Sequence, residues 1–158
     1  MSQDVFDISG RVIAITGGLG GLGQEFATEL MRRGARIAIL DAAAKEESRA
    51  DHRWVLPCDV TRPDSLERVR DLLAAEWGVP HGLVNNAALD SPPNAPPSDV
   101  SAFETYSLDT WKRVIDVNLT GTFLCCQILG GAMAQAGRGS IINISSIYGI
   151  LSPDQRIY

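Results

Sequence analysis

The stretch Arg11-Val-Ile-Ala-Ile-Thr-Gly-Gly-Leu-Gly-Gly-Leu-Gly23 runs from an apolar segment into a glycine-rich turn. Residues 12–15 are apolar on both faces, which is typical of a strand that is buried on both sides. Behind the glycines, Leu22, Phe26 and Leu30 recur every four residues, as on the buried face of a helix. The stretch therefore predicts a buried strand, a tight turn and an amphipathic helix in direct succession.

The rest of the chain repeats this alternation of apolar segments and helical patterns. Gly34 is expected to end the first helix, while Thr61-Arg-Pro-Asp64 resembles a capping box that begins a second helix, ended by Gly78. Ser107 is expected to cap a long helix over residues 109–133. Buried strands that alternate with helices predict an α/β fold, a doubly wound parallel sheet in one domain over residues 1–158. The further strands are predicted at 37–40, 54–56, 82–85 and 140–144.

The composition narrows the class of protein. The chain has 158 residues, of which 45% are hydrophobic and 21% charged, values typical of one soluble globular domain. A net charge of −5 without a cluster of Lys or Arg argues against nucleic acid and anionic membranes as partners. The uncharged stretch 117–137 contains Asn, Gln and Thr and is too polar for a comfortable membrane span. Cys58, Cys125 and Cys126 fit reduced thiols, a cytoplasmic location and no metal site.

The glycine-rich turn predicts a binding site for a dinucleotide. Glycines let the backbone approach a pyrophosphate closely, and the N-terminus of the following helix offers unpaired N–H groups to it. Asp41 ends the second strand, where a carboxylate can accept hydrogen bonds from both ribose hydroxyls of NAD and would repel the 2′-phosphate of NADP. NAD is therefore favoured over NADP. The alternatives are an ordinary turn at the glycines, and a helix N-cap at Asp41 for the alanine-rich segment behind it.

Five motifs in order resemble the short-chain dehydrogenase/reductase family over essentially the whole chain. They are the glycine loop Thr16-Gly17-x-x-x-Gly21-x-Gly23, the pair Asp59-Val60, the stretch Asn85-Asn86-Ala87-Ala88, the segment from Asp116 through Asn118 to Thr122, and Ile142-Asn-Ile-Ser-Ser146. Ala88 stands where the family's Asn-Asn-Ala-Gly motif has glycine. The resemblance implies a Rossmann fold with strand order 3-2-1-4-5 and with the family's later strands absent.

The resemblance also implies roles for individual residues in hydride transfer between NAD(H) and a small-molecule alcohol or ketone. Ser146 would bind the substrate oxygen, and it is preferred over Ser145 because its separation from Asn118 matches the family's usual spacing. Asn118 would hold a water molecule that connects the family's catalytic lysine to solvent. The residues expected to contact the cofactor are Gly17, Leu19, Gly21, Leu22, Gly23, Asp41, Asp59, Val60, Asn86, Ala87 and Ala88.

The family's acid/base group is a tyrosine followed four residues later by a lysine, and this pair is not found within residues 1–158. Of Tyr106, Tyr148 and Tyr158, only Tyr158 leaves the lysine position open, because that position lies beyond the last residue. The segment after Ser146 resembles family members with an insertion, so a later tyrosine is favoured over Tyr158. The chain is therefore interpreted as the front portion of a longer enzyme, since ending here would leave residues 140–144 as an open apolar edge.

The long helix over residues 109–133 is apolar nearly all round, which calls for two buried neighbours. The sheet is one neighbour, and a partner subunit in a homodimer or homotetramer is the hypothesis for the other.

Rival interpretations remain for the function. The chain could be a non-catalytic dinucleotide-binding or assembly module if it truly ends at residue 158. The glycines also fit the Thr-Gly-x-x-Gly-x-x-Gly pattern of sugar-nucleotide epimerases, but the Asn-Asn-Ala-Ala stretch and Asn118 favour the shorter dehydrogenases. A methyltransferase would not account for Asn118 and Ser146 together. Each polar residue taken singly could have only a structural role, for example Asn86 in tying loop backbone together.

Overall fold

The structure, a computed structural model, describes residue 4 and residues 6–90 and 103–151. The segment between Ala88 and Tyr106 contains four prolines, which predict an irregular, exposed loop; most of it lies outside the described residues, and so does Tyr158.

Strands and helices alternate along the chain as the sequence predicts. The strands are β1 (Val12–Thr16), β2 (Arg36–Asp41), β3 (Ser48–Ala50), β4 (Arg53–Pro57), β5 (Gly82–Asn85) and β6 (Ser140–Asn143). The helices are α1 (Gly21–Arg32), α2 (Pro63–Glu76) and α3 (Leu108–Gln135). Short 3₁₀ turns lie at Phe103–Thr105 and Ile147–Gly149.

The six strands form one sheet in the order β3-β4-β2-β1-β5-β6, and all pairs except β3–β4 are parallel. The order predicted for the five parallel strands is confirmed. In the register, Asp41 lies opposite Pro57, and Asn85 lies opposite Asn143. The carboxyl ends of the parallel strands therefore meet at one edge of the sheet, where open α/β sheets bind their ligands.

Strand β3 is not predicted from the sequence, and it adds an antiparallel edge to the otherwise parallel sheet. All three of its residues are exposed, so it carries no apolar alternation. Tertiary contacts of Arg49 hold it instead: the guanidinium lies 4.6 Å from the ring centre of Trp54, and Nη1 lies 3.0 Å from Glu76 Oε2. Trp54 itself packs against Trp77 with ring centres 5.3 Å apart.

Glycines end two helices as predicted. Gly34 follows α1 with φ +84° and Gly78 follows α2 with φ +86°, conformations that side chains rarely adopt. The N-cap predicted at Thr61 is wrong. Arg62 occupies the N-cap position of α2, with Pro63 at the first helical position, and the Thr61 hydroxyl donates instead to Asp59 Oδ1 at 2.7 Å. The predicted cap at Ser107 is confirmed, since its hydroxyl accepts from the Thr110 N–H at 3.4 Å.

Apolar side chains cover both faces of the sheet, which confirms the doubly wound architecture. On one face α1 packs against Ile13, Ile15, Ile37 and Ile39 through residues such as Ala27. On the other face Leu66 and Leu73 of α2 and Leu129 of α3 pack against Ala14, Leu40 and Leu56. Because neighbouring residues along a strand point to opposite faces, uninterrupted apolar runs are what such strands require.

Helix α3 contains two stretches of wider, π-type turns, at Asp116–Gly121 and Cys126–Gly130. By length and composition it is apolar enough to cross a membrane, but core helices of soluble proteins pass the same test. Here Cys125, Leu129 and Met133 pack against the sheet as in a core helix. The opposite side leaves Leu119 and Phe123 about 60% exposed.

Candidate cofactor and active site

A cavity of about 630 Å³ lies at the carboxyl edge of the sheet, a volume suited to a cofactor or small ligand. It is bounded by the loops that follow β1, β2, β4 and β5 and by one residue of α3, Val117. Its lining includes Gly17, Leu19, Gly20, Gly21, Leu22, Leu40, Asp41, Ala42, Ala43, Cys58, Asp59, Val60, Asn86, Ala87, Ala88 and Leu89.

The glycine loop reaches this cavity because two of its residues tolerate no side chain. A Cβ on Gly17, which has φ +62°, would lie 2.7 Å from Ala87 Cα. A Cβ on Gly23 would lie 2.5 Å from Gly17 O, although Gly23 itself does not line the cavity. Gly23 therefore allows α1 to pack closely behind the loop, while Gly17 allows the loop to meet the segment after β5.

The N-terminus of α1 opens onto the cavity without a side-chain cap. Gly20 occupies the N-cap position, and within the described residues of the first turn there is neither a capping hydrogen bond nor an acidic side chain. The N–H groups and the positive end of the helix dipole are thus available to an anion.

Asp41 lies at the end of β2 beside the loop, and it does not cap a helix, since the segment behind it turns into β3. Its Oδ2 accepts a hydrogen bond from the Leu19 N–H at 2.9 Å, and its Oδ1 accepts one from the Ala43 N–H at 2.8 Å. Each carboxylate oxygen has room for a further donor.

The segment after β5 is tied to the end of β1 through Thr16. The buried Thr16 hydroxyl accepts from the N–H groups of Asn86 and Ala87, both at 3.0 Å. In return, Asn86 Nδ2 donates to the carbonyls of Thr16 and Gly17 at 3.1 and 3.0 Å. These bonds hold Ala87 and Ala88, which line the cavity, beside the first residue of the glycine loop.

Residues after β4 close another side of the cavity. Asp59 Oδ1 accepts hydrogen bonds from both the N–H and the hydroxyl of Thr61, and these bonds fix the turn that leads into α2. Val60 is buried, and a Cβ on Gly121 would come within 2.7 Å of its Cγ2. Gly121 therefore allows α3 to approach the cavity wall closely.

Asn118 connects α3 to the segment after β5. Its Oδ1 accepts from the Leu89 N–H at 2.8 Å, and its Nδ2 donates to the Leu89 carbonyl at 3.0 Å. Both polar ends of the side chain are thus engaged by one backbone residue. The amide fixes the position of a residue that lines the cavity.

Ser146 follows β6 at the same edge of the sheet and is exposed. Its hydroxyl accepts from the Tyr148 N–H at 3.2 Å and so begins the 3₁₀ turn Ile147–Gly149. Strand β6 is anchored by Asn85, whose Nδ2 donates to Asn143 Oδ1 at 2.8 Å and contacts Cys126 Sγ at 3.3 Å. Of the three thiols, Cys58 and Cys125 are buried, and burial raises the pKa of Cys125 to about 12.

Comparison with known families agrees with this arrangement. The family model described as short chain dehydrogenase matches residues 11–158. The chain belongs to the short-chain dehydrogenase family. All five motifs singled out in the sequence lie within the matched residues.

Relatives of known activity extend the comparison. The chain is 34% identical to the D-threitol dehydrogenase of Mycolicibacterium smegmatis, over 96% of this chain and 58% of that protein. It is 36% identical to the 3-alpha-(or 20-beta)-hydroxysteroid dehydrogenase of Mycobacterium bovis, over 89% of this chain and 53% of that protein. The chain thus spans about half the length of the curated relatives it matches.

A solved short-chain dehydrogenase from Leptospira borgpetersenii with bound NAD+ has a similar fold. It superposes with a TM-score of 0.84 at 27% identity, covering 100% of this chain and 61% of that one.

The fold brings together ten of the eleven residues that the sequence assigned to cofactor contact, all except Gly23, around the one cavity. Neither Ser146 nor Asn118 lines it, although Asn118 reaches it through Leu89. Sequence reasoning missed seven lining residues, which carry no charged side chain and reach the cavity only by position: Gly20, Leu40, Ala42, Ala43, Cys58, Leu89 and Val117. No cluster of three or more His, Cys, Asp or Glu that could hold a metal ion occurs among the described residues.

Proposed function

We propose that the chain is the cofactor-binding portion of an NAD(H)-dependent short-chain dehydrogenase that interconverts a small-molecule alcohol and its ketone. The observation that carries this proposal is the cavity at the carboxyl edge of the sheet, with an uncapped helix N-terminus and Asp41 on its rim. The similar structure of the Leptospira short-chain dehydrogenase was solved with bound NAD+.

The residues present fit a dinucleotide. The backbone approaches so closely at Gly17 and Gly23 that a Cβ at either position would clash with neighbouring backbone, and the N-terminus of α1 borders the cavity. The first N–H groups of α1 would hold the pyrophosphate. Asp41 would accept the hydroxyls of the adenosine ribose, Asp59 and Val60 would contact the adenine, and Asn86 to Ala88 would line the path toward the nicotinamide.

Charge around the cavity favours NAD over NADP. The described residues that line it include the carboxylates of Asp41 and Asp59 but no Lys or Arg. Two arginines lie in the adjoining groove, yet Arg62 pairs with Asp64 at 2.7 Å and Arg68 donates to the Pro57 carbonyl. A 2′-phosphate in the cavity would thus meet the two carboxylates directly, whereas the nearest described arginines lie outside the cavity and are oriented by other partners.

Ser146 is proposed to donate its hydroxyl hydrogen to the substrate oxygen and to stabilise the charge that develops there. Its exposure at the edge of the sheet leaves the hydroxyl accessible. Asn118 is proposed to shape the same region through Leu89. The nicotinamide ring supplies the hydride chemistry when the dinucleotide is bound. A tyrosine with a lysine four residues later, at or beyond Tyr158, is proposed to move the proton.

Titration of the full-length protein with NADH and NADPH tests the cofactor. We expect NADH to bind at least tenfold more tightly, because Asp41 repels the additional phosphate. A tighter NADPH complex would contradict the assignment.

Replacement of single serines tests the reaction. Ser146→Ala should lower kcat by about a hundredfold or more while leaving NADH affinity unchanged, as expected for a group that acts mainly on the transition state. Ser145→Ala is the matched control and should retain most of the activity. Equal turnover of Ser146→Ala and the unmodified enzyme would remove Ser146 from the mechanism.

We also propose that the full-length protein forms a homodimer or homotetramer through α3 and that it is located in the cytoplasm. The exposed side chains of Trp111, Leu119 and Phe123 lie on this helix and would be covered by a partner subunit. Three free thiols agree with a reducing compartment. Phe123→Glu should shift the full-length protein toward monomer in light scattering. An unchanged mass would argue against this interface.

A further inference from the structure

The carboxylate of Asp41 is engaged by two backbone N–H groups of the chain itself. One of these groups belongs to Leu19, in the middle of the glycine loop, and the other belongs to Ala43, just after β2. The bond from Leu19 joins residues that lie 22 positions apart. It is therefore a tertiary contact between the loop and the end of β2.

Leu19 is held by side chains at both of its backbone groups. While its N–H donates to Asp41 Oδ2, its carbonyl accepts from Gln24 Nε2 at 2.6 Å. Its neighbours on both sides are glycines, which lose more conformational freedom on ordering than other residues. A loop of this composition needs such fixed points if it is to be ordered before a ligand arrives.

The other attachments of the loop lie at its first residue. The Gly17 N–H donates to the Leu40 carbonyl at 2.8 Å, and the Gly17 carbonyl accepts from Asn86 Nδ2. Within the described residues, the Asp41–Leu19 bond is the hydrogen bond that joins the middle of the loop to the sheet. Charged acceptors make the stronger hydrogen bonds to N–H groups.

We propose that Asp41 is a positioning residue that holds the glycine loop in its binding conformation, in addition to any contact with the ribose. It acts through the Leu19 N–H and lowers the entropy that the loop would otherwise lose on binding a pyrophosphate. This inference rests on the proposed cofactor site, but it concerns a bond between two residues of the protein itself. It implies that replacing Asp41 weakens the binding even of a dinucleotide whose adenosine ribose has no hydroxyls for Asp41 to bind.

The decisive probe is an NAD analogue whose adenosine ribose lacks both hydroxyls. With full-length protein, Asp41→Ala should weaken binding of this 2′,3′-dideoxy analogue about tenfold, because the loop has lost its fixed point. Asp41→Asn keeps one acceptor oxygen and should recover part of the affinity. Asp51→Ala removes an exposed carboxylate elsewhere and is the control. Equal affinity of Asp41→Ala and the unmodified protein for the analogue would overturn the positioning role.

Hydrogen exchange of the ligand-free protein provides a second readout. The Leu19 amide should exchange about tenfold faster in Asp41→Ala than in the unmodified protein, with little change at β1. Unchanged protection at Leu19 would overturn the proposal even if NAD affinity fell. Failure of the unmodified protein to bind NAD would instead contradict the proposed function, and the exchange experiment would still decide the role of Asp41.

Discussion

The two sides of the ligand-binding edge are built differently. On the side of β1, β2 and β4, the side chains of Thr16, Asp41 and Asp59 accept hydrogen bonds from backbone N–H groups of the loops. Each loop is therefore fixed by several hydrogen bonds. On the side of β6, all four strand residues are exposed, and Ser146 is fixed mainly by its own turn. The proposed cofactor site and the proposed substrate-binding serine thus lie on separately stabilised parts of one edge.

The glycine-loop side should be the more sensitive to a single added methyl group. Gly23→Ala places a Cβ 2.5 Å from Gly17 O and 2.6 Å from Gly18 Cα, and both of these are backbone atoms. We expect a loss of about 3 kcal/mol in the free energy of unfolding, typical of overpacking, and a cofactor affinity lowered by about a hundredfold. Urea unfolding and NADH titration measure the two effects.

The control for this variant is Gly131→Ala in α3, where an added Cβ meets no atom within 4 Å. It should be neutral or stabilising by up to about 1 kcal/mol, because alanine favours helix. Similar losses in both variants would contradict the role of close packing at Gly23.

The contact between α3 and the segment after β5 should show an intermediate effect. Asn118→Leu leaves both backbone groups of Leu89 without their partner. We expect a loss of about 2 kcal/mol in the free energy of unfolding and faster hydrogen exchange at Leu89. Gln127→Leu, an exposed change on the same helix, should stay within about 0.5 kcal/mol. Unchanged exchange at Leu89 would show that Asn118 does not hold it.

The smallest effect is expected at the opposite end of the sheet, where His81 joins β1, β5 and β6. Its Nδ1 accepts from the Val12 N–H at 3.2 Å, and its carbonyl accepts from the Ser140 N–H. Burial, followed by the charges of Arg138 and Arg11, lowers the pKa of His81. Asp7 lies in the same groove. Because the folded protein favours neutral His81, this residue contributes fully to the free energy of unfolding above its unfolded-state pKa of about 6.5. The contribution falls as the pH drops through and below that value.

Thermal unfolding between pH 7.5 and pH 5 measures this contribution. His81→Gln should flatten part of the decline toward low pH, whereas His52→Gln, in the exposed turn before β4, should retain it. The same decline in both variants would assign the acid sensitivity to other groups.

Much of the fold follows from local sequence. Apolar runs and glycines determine the five parallel strands and the ends of α1 and α2, because buried strands and left-handed turns leave direct marks on composition. Strand β3 has no such pattern in its composition, because it is held by contacts of Arg49 with Trp54 and Glu76, and Glu76 is distant in the chain. The predicted cap at Thr61 failed because Asp59 Oδ1 accepts from both the N–H and the hydroxyl of Thr61, which ties this residue into the turn before the helix.

The sequence predicts the polar motifs of the candidate site but not the hydrogen bonds that connect them. The glycines and Asp41 can be recognised by their positions after strands. The bond from Asn118 to Leu89 cannot, because it depends on how α3 lies against the segment after β5. Apolar residues such as Val117 reach the cavity through helix placement alone, which no local pattern encodes.

The position of β1 has a consequence for how the chain is assembled during synthesis. Ile13 pairs with Ile37 on one side and with Gly82 on the other. A ribosome delivers the first neighbour early, but the second emerges only after β2, β4 and α2 have been made. Non-local parallel pairing of this kind folds slowly. The nascent chain therefore carries an unprotected apolar edge for that interval, when chaperone binding would be of most use.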